Sequence, residues 1–184
     1  MIHMLTAPLT PEALSSLRAG NRCLLSGRIY SARDAAHARI AELIRNHAPL
    51  PVDLKNQVIY FMGPSPASPG QVIGAAGPTT SGRMDAYSPL LISCGLTGMI
   101  GKGRRNKNVV DAMKQYKAVY FGAVGGCGAL FSRCILSSRV LCYEDLGTEA
   151  LRELIVKDMP LTVVIDSEGN DLYELGPKAY LESL

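Results

Sequence analysis

The spacing of apolar and polar residues along the chain predicts strands that alternate with helices. In residues 32–47 the apolar positions recur at a helical period, which indicates an amphipathic helix. Short apolar runs bounded by glycine or proline predict buried strands at residues 58–61, 97–100 and 118–124. This alternation is typical of an α/β domain with a mixed sheet.

The remaining segments extend the same pattern. Helices are also predicted after a capping Thr10, at residues 84–94 with Pro89 kinking or starting the helix, around 109–116, and at 149–157. Strands are also predicted at residues 22–31 with an interruption at Gly27, and at 71–76, 140–143, 161–166 and 171–174, the last two joined by a hairpin turn at 167–170. No repeat or linker divides the sequence, so we expect residues 1–184 to form a single domain.

Composition narrows the function classes. The chain has 184 residues, of which 47% are hydrophobic and 19% charged, as in ordinary globular proteins. Its longest apolar runs are far shorter than the roughly 20 residues of a membrane helix. Residues 1–5 lack the features of a signal peptide, so we expect a cytoplasmic location and no membrane association. A formal net charge of +3 argues against a nucleic-acid surface.

A basic cluster at residues 102–107 nevertheless needs its own explanation. Within it Lys102 stands between two glycines, which let a ligand approach the backbone closely; the alternative is a solvated loop lysine. Arg104, Arg105 and Lys107 are expected to be solvated at a helix start or to face a partner.

The cysteines predict no metal site. The five thiols are spread over the chain as Cys23, Cys94, Cys127, Cys134 and Cys142, and none forms a C-x-x-C pair. An odd number of thiols in mostly apolar surroundings indicates reduced, largely buried side chains. We therefore expect this chain alone to hold no metal.

The sequence GPTTSGRMD at residues 77–85 nearly matches a nucleotide-binding P-loop. Its two glycines have the separation of G-x-x-x-x-G-K-[ST], but Arg83 replaces the lysine and Met84 replaces the magnesium-binding hydroxyl. Without that hydroxyl the loop fails as a P-loop, whereas backbone N–H groups beside an arginine suit a planar carboxylate. The alternative is a plain tight turn.

Two arginines lie where a helix start favours negative charge. Arg33 lies in the first turn of the first amphipathic helix, and Arg83 follows the glycine-rich loop in the same way. Cations at both positions are explained if they bind one dianionic ligand. The alternative is pairing with a neighbouring acid, Asp34 or Asp85. His37, one turn further on, is either a proton-transfer residue or, as we favour, a structural hydrogen-bonding residue.

Taken together, four segments resemble a known family. They are LSGRIYSARDAAH at residues 25–37, GPTTSGRMD at 77–85, IGKG at 100–103 and GGCGA at 125–129. In this order they resemble the β subunit, or C-terminal domain, of the class I iron–sulfur hydro-lyases, which include class I fumarase and L(+)-tartrate dehydratase. The resemblance covers essentially the whole chain.

The resemblance implies a fold, a reaction and a partner. The fold would be the swivelling β/β/α domain of that family, and the reaction would be the reversible addition of water across the double bond of a dicarboxylate. A [4Fe–4S] cluster would be bound by three cysteines of an α subunit and would act as a Lewis acid on the leaving hydroxyl. The present chain would be one half of the active site in a hetero-oligomer, for example α2β2.

The resemblance also implies residue roles. Thr79 matches a threonine that moves the proton at the carbon adjacent to the hydroxyl-bearing one, and Arg33 and Arg83 match arginines that bind the substrate carboxylates. Lys102 matches a lysine that contacts substrate and helps to lower the pKa of the threonine, because nearby cations favour the alkoxide. Supporting positions around these groups are expected for Thr80, Ser81, Asp85 and His37.

Three functions are compatible with these features. The first is the β subunit of a class I fumarate hydratase, which the GRMD sequence at residues 82–85 favours. The second is the β subunit of L(+)-tartrate dehydratase, whose substrate carries an extra hydroxyl and needs an added hydrogen-bond partner. The third is a non-catalytic anion-binding or assembly module. Retention of all four site residues counts against the third, because a module freed from catalysis does not need them.

Overall fold

Seven strands form one mixed sheet, and the computed structural model describes residues 1–184. The strands are β1 (Ile2–Ala7), β2 (Arg22–Ser31), β3 (Val58–Tyr60), β4 (Gly98–Gly101), β5 (Val119–Gly122), β6 (Ile135–Cys142) and β7 (Leu151–Ile165). The helices are α1 (Pro11–Leu14), α2 (Asp34–Arg45), α3 (Ser88–Ser93), α4 (Lys107–Tyr116), α5 (Gly128–Arg133) and α6 (Leu172–Glu182), with 3₁₀ turns at Ser81–Met84 and Glu144–Glu149. None of the helices has the length and hydrophobicity that crossing a membrane requires.

The sheet closes into a barrel because two of its strands are long enough to pair with several others. Strands β2, β3, β4 and β5 run parallel in that order. Strand β7 has 15 residues and is antiparallel to β2 along one part of its length and to β5 near its end, so it joins the two sides of the parallel set. Strands β1 and β6 extend the sheet from β2 and β7. The α/β fold class with the swivelling-domain type of mixed sheet is confirmed.

Both faces of the central strands are buried. Along β3 and the residue after it, Val58 and Tyr60 belong to one hydrophobic cluster, whereas Ile59 and Phe61 belong to a second cluster that includes residues of α2, α3 and α4. Successive side chains of a strand point to opposite faces, so a strand covered on both faces is apolar throughout. This is why the short apolar runs predicted β3, β4 and β5, all of which are confirmed.

The predicted interruption of β2 at Gly27 is also confirmed. The pairing of β2 with β7 shifts register between Leu25 and Gly27, and Gly27 has a φ of 107°. A Cβ at this position would lie 2.5 Å from the carbonyl oxygen of Ala7. Glycine therefore allows β1 to lie against β2 at the bend.

The predicted helix at residues 149–157 is wrong, because Leu151–Ile165 is strand β7. Its leucines fit a helical spacing, but the segment pairs with β2 on one side and β6 on the other. Pairing and burial in the sheet override such a local preference.

The predicted strand at residues 171–174 is wrong as well. Asp171 accepts a hydrogen bond from Tyr173 N at 2.8 Å and starts helix α6. The turn before it does form, and a single β-bridge joins Ile165 to Asp171 across it.

The chain between β3 and α3 also differs from prediction. Residues 71–76 are not a strand: Ala75 N donates to Ser65 Oγ at 2.8 Å and Ser65 N donates to Ala75 O at 3.1 Å, so these groups bond within the loop rather than to the sheet. The predicted helix at 84–94 begins only at Ser88, with Pro89 in its first turn. The proline therefore starts the helix, since it has no N–H to donate to an earlier turn.

Candidate active site

Four loops meet where the parallel strands end. Arg33 follows β2, Gly63 follows β3, Lys102 follows β4 and Gly125 follows β5. Neighbouring strands of a sheet are about 4.8 Å apart, so the strand ends form one continuous edge. Both in open α/β sheets and in barrels of parallel strands, ligands bind outside the carboxyl ends of the strands.

The loop of residues 77–85 runs back along this edge. Thr79 N donates to Phe61 O at 2.7 Å, Lys102 N donates to Thr79 O at 3.4 Å, and Ser81 N donates to Lys102 O at 2.8 Å. Thr80 and Lys102 form a parallel bridge. Because these bonds use the backbone, Thr79 is fixed beside Lys102 while the side chains of Thr80 and Lys102 are exposed.

Arg33 lies at the start of α2, but its immediate partner is an acid of this chain. Its Nη2 lies 3.1 Å from Glu149 Oε1, and its Nε lies 3.7 Å from Asp34 Oδ1. Glu149 Oε2 also accepts Ala35 N at 3.0 Å, so its carboxylate occupies the helix start. The interpretation of pairing with an acid is therefore supported for Arg33, with Glu149 as the main partner.

Arg83 has a different environment. It lies in the 3₁₀ turn Ser81–Met84, not at the start of a regular helix, so the prediction of a second helix start is wrong here. Its side chain is exposed and takes part in none of the ion pairs of the chain. The expected alternative partner, Asp85, binds Arg105 instead. Arg83 therefore presents an uncompensated positive charge at the edge.

Lys102 presents a second such charge. Its side chain is exposed and lies along a cleft of about 380 Å³ that is also lined by Val124, Leu172 and Tyr173. A Cβ added to Gly125 would lie 3.5 Å from Lys102 Nζ, at ordinary van der Waals contact, so the turn after β5 lies directly against the lysine side chain.

The prediction that Arg105 is solvated is wrong. Its side chain is 0% exposed, and its Nε lies 2.7 Å from Asp85 Oδ1. Its Nη2 donates to Ser88 Oγ at 2.6 Å. Arg104 and Lys107 are exposed as predicted. A run of cations gives no local signal that one of them is buried, which is why sequence reasoning missed Arg105.

A buried hydroxyl pair lies under the same loop. Ser81 Oγ is 2.9 Å from Tyr120 Oη, which donates to Gly103 O at 3.0 Å. Burial raises the pKa of Tyr120, so its phenol is neutral. A Cβ on Gly101 would lie 2.0 Å from Ser81 Oγ, which shows that this glycine is needed for the loop to pack on β4.

His37 has the geometry of a structural hydrogen-bonding residue. It is buried, packs edge-on against Phe61, and its Nδ1 lies 2.8 Å from Arg33 O. A carbonyl only accepts, so Nδ1 carries the hydrogen. Burial, with a smaller contribution from Arg105, lowers the pKa of His37 to about 4 against the opposing effects of Arg33 O and Asp34. The ring is therefore neutral near pH 7.

The cysteines do not gather at this site. No three His, Cys, Asp or Glu side chains lie close enough together to hold a metal ion. Burial raises the pKa of Cys23 to about 11, which disfavours the thiolate that a metal needs. An iron–sulfur cluster held by three cysteines therefore does not fit the residues of this chain.

Comparison with known proteins identifies the family. Residues 2–176 match the family described as Fumarase C-terminus. The chain belongs to this family. The resemblance that the four sequence segments carried is thereby confirmed.

The relatives of this Fumarase C-terminus chain include two kinds of protein. It is 40% identical over 164 residues to fumarate hydratase 2 of Leishmania major, covering 88% of the chain and 29% of that protein. It is 37% identical over 163 residues to the aerobic class I fumarate hydratase of Escherichia coli K12, covering 88% and 30%. It is 36% identical over 182 residues to the putative L(+)-tartrate dehydratase subunit beta of Methanocaldococcus jannaschii, covering 96% and 93%. The chain thus spans about three-tenths of the length of these fumarate hydratases and nearly all of the β subunit.

Proposed function

We propose that the chain is the β subunit of a two-subunit hydro-lyase that catalyses the reversible hydration of fumarate to malate. The observation that carries this proposal is the backbone pairing of Thr79 with Lys102 at the strand ends, in a loop that also carries the exposed, unpaired cation Arg83. A threonine loop that pairs through its backbone with a lysine, and that carries an exposed arginine, suits a dianionic substrate that must exchange a proton. Membership of the family and the nearly full-length match to a β subunit support the assignment.

Each side chain is assigned one role. Thr79 Oγ1 takes the proton from the carbon adjacent to the hydroxyl-bearing one during dehydration, and returns it during hydration. Lys102 contacts the substrate and stabilises the alkoxide form of Thr79, because an adjacent positive charge lowers the pKa of a hydroxyl. Thr80 and Ser81 continue the backbone that holds Thr79.

Arg33 and Arg83 bind the substrate carboxylates, but the two side chains differ in their ion-pair partners. Arg83 carries no internal counter-charge, so it contributes most of the attraction. Arg33 already shares its charge with Glu149 at 3.1 Å, which fixes the direction of the guanidinium. An arginine held in this way binds a carboxylate through its remaining N–H groups with little loss of conformational entropy.

A partner α subunit is required to complete the site. Thr80, Arg83 and Lys102 are exposed, so this chain supplies only one wall around a bound dicarboxylate. A [4Fe–4S] cluster belongs to the partner subunit in this proposal, since the thiols of the present chain are not gathered to hold it. The expected assembly is a hetero-oligomer, with α2β2 as the simplest symmetric form.

One observation favours a second candidate function. The relative whose length the chain matches almost completely, at 93%, is a putative L(+)-tartrate dehydratase subunit beta. That reaction would use the same side chains on a substrate with one more hydroxyl group, converting tartrate to oxaloacetate. The hydrogen-bond partner for that hydroxyl would come from the α subunit.

The test is anaerobic co-expression with the candidate α subunit, followed by assays on fumarate and on L-tartrate. Loss of the fumarate double-bond absorbance that depends on both chains supports the first proposal. Turnover of L-tartrate alone selects the second. A complex that forms but turns over neither substrate rejects both, and the absence of any complex favours a non-catalytic anion-binding or assembly module.

A further inference from the structure

Arg105 lies between the two loops that carry the proposed catalytic groups, without reaching the site itself. Its side chain is 0% exposed, so it cannot contact a ligand at the edge of the sheet. It comes three residues after Lys102 in the sequence, and its ion-pair partner Asp85 comes two residues after Arg83. The buried guanidinium therefore links the two loops on their interior side.

The Asp85 carboxylate bonds to the second loop through both of its oxygens. Its Oδ1 lies 2.7 Å from Arg105 Nε, and its Oδ2 accepts Asn106 N at 2.7 Å. Asn106 in turn caps helix α4 by accepting Val109 N at 3.0 Å. One carboxylate thus ties the end of the 3₁₀ turn to the start of helix α4.

The two residues whose rings surround Arg105 also bond to the loops that carry Thr79 and Lys102. Its guanidinium carbon lies 5.2 Å from the ring centre of Phe61 and 5.1 Å from that of Tyr120. The carbonyl of Phe61 accepts Thr79 N, and the hydroxyl of Tyr120 bonds to Ser81 and Gly103. A planar guanidinium satisfies the ion pair and both rings at once, which a lysine ammonium group does less well.

We propose that Arg105 is a positioning residue that fixes Thr79 and Lys102 relative to each other through Asp85, Phe61 and Tyr120. The expected effect on turnover rests on the proposed function. The structural part, that Arg105 holds two loops in one conformation, does not depend on it. A displacement of about 1 Å between reacting groups can lower a rate by about 10²-fold. Loss of Arg105 should therefore lower kcat much more than it changes KM. The long Arg33 and Arg83 side chains are retained and reach a carboxylate from a loosened loop, whereas proton transfer needs Thr79 within hydrogen-bond reach.

The kinetic test compares Arg105→Met with Arg105→Lys in the co-expressed complex. We expect kcat to fall by about 10²-fold in the methionine variant and to recover partly in the lysine variant, with KM changed less than about threefold in both. The matched control is Asp166→Asn, which removes another buried carboxylate that holds a turn through Ala19 N and Asn170 N. Asp166 follows Ile165, which pairs with Tyr120 near the start of β5, so it lies at the opposite edge of the sheet.

A second measurement does not depend on turnover. Amide hydrogen exchange in residues 77–85 and 102–106 should accelerate in Arg105→Met and Asp85→Asn, and should stay at the wild-type rate in Asp166→Asn. If the wild-type complex turns over neither dicarboxylate, the proposed function fails, and this exchange experiment still tests the positioning role.

Three outcomes overturn the inference. The first is a folded Arg105→Met complex with kcat within about threefold of wild type. The second is a loss of kcat in Asp166→Asn as large as that in Arg105→Met, with the two variants melting at the same temperature. The third is unchanged exchange in both loops. If Arg105→Met does not assemble, Asp85→Asn decides the matter, and wild-type kcat together with wild-type exchange in that variant rejects the positioning role.

Discussion

The carboxylate of Glu149 joins the side chain of Arg33 to the first turn of helix α2. Its Oε1 lies 3.1 Å from Arg33 Nη2, and its Oε2 accepts Ala35 N at 3.0 Å. The two residues are 116 positions apart in the chain (149 − 33). The start of α2 and the Arg33 guanidinium both favour an anion, and the Glu149 carboxylate serves both. This pairing holds Arg33 in a fixed orientation at the edge of the sheet.

Removal of this carboxylate should destabilise the fold. Glu149→Ala leaves an N–H group of α2 and a guanidinium without their partner, so we expect the free energy of unfolding to fall by about 1–3 kcal/mol. Denaturant unfolding followed by circular dichroism measures it. The control is Glu153→Ala, which removes a pair with the 71% exposed Arg139 and should cost under about 1 kcal/mol. Equal losses in the two variants would mean that Glu149 is only another surface charge.

Thr79→Ala should abolish most turnover while the substrate still binds. The variant keeps the backbone bonds of Thr79 to Phe61 and Lys102 and loses only the hydroxyl and the γ-methyl group of the side chain. Because positioned proton transfer contributes about 10²–10⁴-fold, we expect kcat to fall by that factor with little change in the affinity for dicarboxylate. Steady-state kinetics and equilibrium binding on the assembled complex measure both quantities. Thr80→Ala is the matched control, and a rate near wild type in Thr79→Ala would remove the proton-transfer role.

Arg83→Gln should weaken substrate binding. Arg83 has no ion-pair partner in this chain, so its loss removes attraction for a carboxylate without breaking an internal contact. A hydrogen bond to a charged group contributes about 1.5–3 kcal/mol, which corresponds to a KM about 10–10²-fold higher. The control is Arg139→Gln, an exposed arginine paired with Glu153 on β7. If KM changed equally in the two variants, only general electrostatic attraction would be at work.

His37 should make the protein less stable as the pH falls below about 6.5. Burial lowers the pKa of His37 from 6.5 to about 4 in the folded state, so between these values the unfolded chain binds a proton that the folded chain does not. The free energy of unfolding should therefore rise with pH across this window by about 1.4 kcal/mol per unit from this group, and level off above it.

Denaturant unfolding at several pH values between 4 and 6.5 measures this dependence. The His37→Gln variant should lose the contribution of one proton to the slope. His47→Gln, which alters an exposed histidine, should keep it. A wild-type slope in His37→Gln would show that the titrating group lies elsewhere.

The parts of the fold that could be predicted were those in which local pattern and tertiary position agree. Strands β3, β4 and β5 are covered on both faces, so their sequences are short apolar runs between turn residues, and these runs are visible without a structure. Gly27 was recognised as an interruption because a glycine inside a strand marks a bend or a close approach.

The prediction failed at β7 because its local pattern is ambiguous. Leu151 and Leu154 have a helical spacing, yet the segment lies between β2 and β6 and takes its hydrogen bonds from both. Its partners in β2 are more than 100 positions away along the chain, for example Tyr30 opposite Glu153. A window of neighbouring residues holds no information about such a partner.

The candidate site also has a part that could be predicted from the sequence and a part that could not. By itself the sequence determined which loop is the candidate for the chemistry, since the glycine spacing, the arginine in place of the P-loop lysine and the family segments all lie within short stretches. Only the tertiary structure decided which charges are free and which are paired. Arg33 binds Glu149, Arg105 is buried on Asp85, and Arg83 is left exposed. The residue type alone fixes the charge of a side chain. Whether another group neutralises that charge depends on distance and burial, which are set only once the strands have closed into a sheet.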